Sequence, residues 1–138
     1  MKIVLIRVND ACHMEAKNEE GNIIHIDGAP DVGGENKGFR PMQLLAAGVG
    51  GCSSIDIISI LKKQRQELAG LKIEVNATRQ ENAVPSLFET IHIHYILSGE
   101  LDSAKVEKAI NLSLDKYCSV AKTLEKTAKI TYSFEINS

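Results

Sequence analysis

The chain has 138 residues, 43% of them hydrophobic and 25% charged, with a formal net charge of −2. That length predicts one domain, 1–138, with a core of real size but no room for two independent ones. The near-neutral balance leaves no electrostatic footprint for nucleic acid or an anionic membrane. An aromatic content of 4%, with no Trp, argues against a base-stacking or carbohydrate surface.

Residues 1–27 read as N-terminal strands. MKIVLIRV is apolar and β-branched, and Arg7 cuts it short. It lacks the apolar core and small-residue cleavage site of a secretory signal. Cys12, Met14 and Ala16 alternate with His13, Glu15 and Lys17, which puts Cys12 on a core face, and NEEGN turns into IIHID. Residues 28–40, GAPDVGGENKGFR, are rich in Gly, Asn and Asp and predict a loop.

Pro41 suits the first turn of a helix, where its missing N–H is not needed. The spacing predicts this central helix over 41–67, with basic residues near its C-terminus and Gly70 as its stop. Between Met42 and Leu61 only Asp56 is charged, so the helix has no polar face and is expected to be buried on nearly all sides. A chain this small has little to wrap around it, which favours a dimer with the helix at its centre. No run reaches the ~18 uninterrupted apolar residues of a membrane span. A cytoplasmic protein without a membrane partner is expected.

A hairpin over 71–97 follows, with Leu71, Ile73 and Val75 alternating against Lys72 and Glu74, and Ile91, Ile93 and Tyr95 against His92 and His94. The two histidines share a face, a spacing that metal sites use, but no other ligand lies near them in sequence and a solvated face is the expectation. Asp102 is a candidate N-cap for a helix over 102–118, whose apolar positions Val106, Ile110, Leu114 and Tyr117 fall at helical spacing. A short helix over 120–127 and a last strand over 129–136 close the chain. Strands and helices do not alternate singly, so the class is α+β.

The chemistry centres on AAGVGGCSSIDIISIL. Each helix-interior glycine costs about 1 kcal/mol relative to Ala, so Gly48, Gly50 and Gly51 before Cys52 point to close approach of another backbone or a substrate. Cys52 is open to three readings: a buried structural thiol, a neighbour of a close helix contact, or a reactive cysteine in a guarded pocket. Free cysteines are often inert small hydrophobes. Nothing adjacent in sequence lowers the Cys52 pKa as His or Lys would. Cys118, four residues after Leu114, falls on the apolar face of its helix and in the final turn. Three scattered cysteines without a CxxC exclude a secreted disulfide framework and the usual zinc spacings, and no metal is expected.

RPMQLLAAGVGGCSSIDIISILKK together with YCSVAKTL resembles the OsmC/Ohr family of thiol peroxidases, in its OsmC-like branch, over nearly the whole chain. The resemblance implies an intertwined homodimer in which antiparallel sheets flank long central helices. It implies stress defence by reduction of organic hydroperoxides: Cys52 attacks the peroxide and becomes a sulfenic acid, Cys118 resolves it to a disulfide, and an external thiol reductant reopens the bond. No cofactor beyond that reductant is implied. The substrate pocket would be apolar and take in Met42, Gly51 and Ile55. Met42 stands where the family usually has a catalytic carboxylate, and the arginine usually supplied by an N-terminal strand has no match. Arg40, Glu35 and His13 are the candidates to replace it, with Arg40 foremost because it immediately precedes the helix. Ser119 replaces the proline that usually follows the second cysteine. The alternative is a non-catalytic dimer of the same fold that binds a small apolar ligand and keeps its cysteines for packing.

Overall fold

A computed structural model describes residues 1–137; Ser138 lies outside the described residues. The chain forms two compact units, residues 1–45 and the remainder from Ala46 onward.

In the first unit, β1 (Val4–Arg7), β2 (Met14–Lys17) and β3 (Ile23–Ile26) form an antiparallel sheet in that order. β1 is cut off by its own arginine: the Arg7 guanidinium turns back onto the Asp10 and Ala11 carbonyls. Much of the sheet's apolar surface is bare in the single chain. Val4, Leu5, Ile6, Ile23 and Ile24 are each between 44% and 61% exposed. The predicted loop contains one 3-10 turn at Pro30–Val32 and is pinned where Phe39 bridges Ile26. Gly34 must be glycine there, because a Cβ would lie 1.9 Å from the Gly28 carbonyl oxygen.

α1 (Pro41–Lys63) starts as expected and ends four residues short of 67. Arg65 adopts a left-handed conformation (φ 58°), and the Gln66 N–H returns to the Leu61 carbonyl, so the chain caps itself before Gly70, which opens β4 instead. By length and composition α1 could cross a membrane. Here Val49, Ser53, Ile57 and Leu61, each four residues apart, form a buried stripe with Gly50 beside it. The expectation of burial on nearly all sides is corrected for the single chain: Ile55 is 70% and Ile58 47% exposed, since one small sheet covers only one helix face.

That sheet is β4 (Gly70–Arg79), β5 (Phe88–Ser98) and β6 (Lys129–Asn137), with β5 central. β5 pairs antiparallel with β4, and Ile91, Ile93, Tyr95 and Leu97 are fully buried on one side. His92 and His94 point away from that row, as the alternation predicted, and bridge to Thr131, Ser133 and Glu135 of β6. β6 runs parallel to β5, not antiparallel, because the chain between them returns through helices rather than a tight turn. The class stays α+β.

α2 (Ser103–Leu112) is capped by Asp102, whose carboxylate accepts from the Ala104 and Lys105 N–H groups. It ends well before 118. Residues Ser113–Tyr117 widen into a π turn, and Cys118 is extended (φ −74°, ψ 100°) at the head of a six-residue helix, α3 (Ser119–Leu124). The predicted final-turn placement of Cys118 is therefore corrected.

A candidate dithiol site

The π turn and the extended residue after it set the site. Widening the backbone turns Ser113 inward, where its hydroxyl donates to Asp56 Oδ2 at 2.9 Å. Its carbonyl accepts from the Cys118 N–H at 2.7 Å. Cys118 is fully buried, and its Sγ receives the Ala121 N–H at 3.4 Å as the cap of α3. Cys52, half-buried on α1, lies 3.9 Å from Ser119 Oγ. Ligand atoms of Cys52, Asp56 and Cys118 all lie within 4.8 Å of one another. The two thiols, which the sequence places on core-facing helical surfaces without fixing their distance, are brought together by a turn type with no trace in the sequence pattern.

Their acidities are driven apart. Burial raises the Cys52 pKa, but the Val120 N–H and the side chains of Cys118 and Ser119 donate to its sulfur, and the net shift is downward despite the negative charge of Asp56. The lowering groups come from chain positions far from Cys52, which is why no neighbour in sequence foretold them. Burial pushes the Cys118 thiol up to about 11, reinforced by Cys52 and Asp56 and only partly offset by the Ala121 N–H. Behind the pair, the buried Tyr95 hydroxyl donates to Ser53 Oγ at 2.8 Å, and Ser53 in turn donates to the Gly50 carbonyl. Burial holds that phenol at about 12.

The glycines before Cys52 divide by role. Gly50 is a close approach, since a Cβ would lie 3.3 Å from Val75 and 3.6 Å from Ile73 on β4. Gly51 meets nothing within 4 Å and opens onto a groove of about 360 Å³ between α1 and β4, whose lining includes neither thiol. Ile55 is largely solvent-facing in the single chain. Met42 is half-buried on the first turn of α1.

In the first unit, Arg40 hydrogen-bonds Asn36 Oδ1 at 2.7 Å through its guanidinium, and its N–H is capped by Gln43 Oε1. Glu35 accepts from Asn9 at 2.9 Å. His13 pairs ring to ring with His25, nitrogen to nitrogen at 2.9 Å. Cys12 is exposed rather than core: its thiol donates to Asp27, because β2 begins two residues later and the expected alternation has not yet started. Asp27 itself was missed. It is buried, and accepts from the N–H groups of Gly28, Glu35 and Lys37 as well as from Cys12. Burial opposes its ionisation, yet those donors hold its carboxyl down at about 2. The Asp-Gly pair entering a glycine-rich loop was the available signal.

Fold and site together define an α+β protein in which one cysteine on a long apolar helix faces a second at the head of a short one. A family model for OsmC-like proteins matches residues 34–133. Protein YhfA of Escherichia coli is 43% identical over 102 residues, covering 73% of this chain and 75% of its own. A hypothetical protein from Aquifex aeolicus superposes with a TM-score of 0.81 at 32% identity, over 99% of this chain and 97% of its own. The Bacillus subtilis organic hydroperoxide resistance protein OhrB shares the fold, with a TM-score of 0.65 at 20% identity over 97% and 96% of the two chains. The chain belongs to the OsmC-like family.

Proposed function

We propose that the protein is a thiol-dependent peroxidase that reduces organic hydroperoxides in oxidative or osmotic stress defence. The observation that carries this reading is the convergence of two thiols in unlike surroundings, with the Cys52 pKa drawn down and the Cys118 pKa pushed up. The Cys52 thiolate attacks the distal peroxide oxygen. The O–O bond breaks, the alcohol leaves as it takes up a proton, and Cys52 becomes a sulfenic acid. Cys118 then attacks that sulfur as its proton and the sulfenic hydroxyl leave as water, closing a Cys52–Cys118 disulfide. An external dithiol, itself oxidised to a disulfide, restores both cysteines. A raised pKa suits Cys118, because a resolving thiol that stayed ionised beside Cys52 would repel the nucleophile's charge.

Two apolar surfaces support a homodimer: the bare face of the β1–β3 sheet, and the exposed Ile55 and Ile58 of α1. Pairing of copies over α1 would enclose Gly51 and Ile55 in an apolar pocket suited to an organic substrate. The protein names attached to its structural relatives, organic hydroperoxide resistance among them, agree with this class of substrate. A reducing, cytoplasmic setting would supply the thiol reductant that this cycle needs.

A non-catalytic dimer binding a small apolar ligand is the second reading. It is favoured by one feature: no Lys, Arg or His of its own unit stands among the groups that act most strongly on Cys52 in the described residues. Stopped-flow consumption of cumene hydroperoxide by the reduced protein separates the two. The peroxidase reading predicts rapid consumption that Cys52→Ser abolishes; equal, slow consumption by wild type and variant overturns it and leaves the second reading.

A further inference from the structure

Two sulfurs and a carboxylate converge where one helix meets the head of another, and no salt bridge to Asp56 occurs among the described residues. Lys63 lines the same groove of about 320 Å³ as Asp56, yet forms no ion pair with it. When ionised, Cys52, Cys118 and Asp56 are acceptors only, and each works against the charge of the others. Such a trio lacks a compact positive charge at its centre. We infer that Cys52, Cys118 and Asp56 form a three-ligand site for Zn²⁺, with the fourth position open.

The geometry is close to what the ion requires. Zn–S bonds of about 2.3 Å and Zn–O bonds of about 2.1 Å in a tetrahedron leave ligand atoms roughly 3.6–3.8 Å apart. The ligand atoms here lie within 4.8 Å, so closing on an ion takes roughly 1 Å of side-chain adjustment at most. Two thiolates select a soft or borderline cation, and the carboxylate favours divalent zinc over monovalent copper. The surrounding contacts are those that orient ligands. Ser113 holds one Asp56 oxygen, the other having no hydrogen-bond partner among the described residues, while backbone N–H groups of Val120 and Ala121 point at the two sulfurs. The groove beside Asp56 gives the ion a way in. The inference needs only reduced thiols and does not rest on peroxide chemistry. It does imply that bound metal and a Cys52–Cys118 disulfide exclude each other, since both claim the same sulfurs.

The test titrates Zn²⁺ into chelator-stripped, reduced full-length protein, anaerobically, in competition with a chromophoric chelator. The expected result is one ion per chain. Cys52→Ala or Cys118→Ala should weaken binding on the order of a hundredfold, and Asp56→Asn by about tenfold. Cys12→Ala should leave it unchanged. Co²⁺ on the wild type should give thiolate-to-metal charge transfer and the visible bands of a tetrahedral ion, a reading that stands even where a Cys118 variant fails to fold. Wild-type binding no tighter than that of the Cys52→Ala, Cys118→Ala double variant overturns the site. So does an affinity indifferent to Asp56→Asn, or one lost with Cys12→Ala. Peroxide consumption by the metal-free protein is read separately, so loss of one claim leaves the other standing.

Discussion

The protein carries two cysteine–aspartate neighbourhoods, and they differ in almost everything but composition. Around Asp27, three backbone N–H groups and the Cys12 thiol converge on one carboxylate. The charge is satisfied locally, and the sulfur is only one donor among four. Around Asp56 a single hydroxyl hydrogen-bonds the carboxylate among the described residues, and two thiols lie alongside with their own charges unsettled. A carboxylate saturated by backbone donors holds a loop together. One left with spare lone pairs beside two ionisable sulfurs acts on their chemistry. Residue type alone does not separate these cases; the number of donors does.

The largest expected effect belongs to the second neighbourhood. Cys52→Ser should lower the rate of peroxide reduction on the order of a thousandfold or more, while Cys12→Ser leaves it within about twofold. If Cys12→Ser were the damaging change, the assignment of roles to the two neighbourhoods would be reversed. Next in size, Cys118→Ser should leave the first oxidation step within about tenfold of wild type but block resolution. The sulfenic acid on Cys52 then persists and is captured by a carbon-acid probe such as dimedone. A variant that still forms an intramolecular disulfide would break the pairing.

The two neighbourhoods should also answer pH from opposite ends. Asp27 has a depressed pKa, so its stabilisation is complete above the ordinary value of 3.8 and is lost as pH falls through about 2. Asp27→Ala should remove that acid limb and lower Tm by about 5 °C or more, through the stranded N–H groups of the loop. Cys118 has a raised pKa, so its contribution is complete below the ordinary thiol value of 9.0 and is lost as pH rises through about 11. Thermal melts of wild type and Cys118→Ala across both ranges check the signs. The smallest effect is the most diagnostic. Asp56→Asn keeps a partner for Ser113 but removes the negative charge that raises both thiols, so the peroxide rate near neutrality should rise about threefold. No change, or a fall, would show that Asp56 acts through something other than its charge.

What was legible in the sequence follows the reach of each interaction. Local signals served well: Pro41 starts α1, Asp102 caps α2, and strict alternation separates the His92 and His94 face from the buried Ile91, Ile93 and Tyr95. The glycines upstream of Cys52 pointed to close approach, which Gly50 shows against β4. The misses arise where a distant group decides. The parallel pairing of β6 depends on a crossover through two helices, and strand composition carries no direction. Cys118 looked helical because Leu114 and Cys118 are four apart, but the π turn between Ser113 and Tyr117 shifts that register. The downward shift of Cys52 comes from Val120, Cys118 and Ser119, more than sixty positions away in sequence. Asp56 is the one charge between Met42 and Leu61 of an apolar helix, but its hydroxyl partner Ser113 lies 57 residues away, at the π turn.

The central claim is that Cys52 and Cys118 work as a pair, and one measurement meets it head on. Reduced protein is treated with one equivalent of cumene hydroperoxide, quenched by alkylation under denaturing conditions, and mapped by peptide mass spectrometry. The pairing predicts a single intramolecular disulfide joining the Cys52 and Cys118 peptides, with Cys12 recovered as the alkylated thiol. Recovery of all three cysteines as free thiols, or oxidation confined to Cys12, would contradict it.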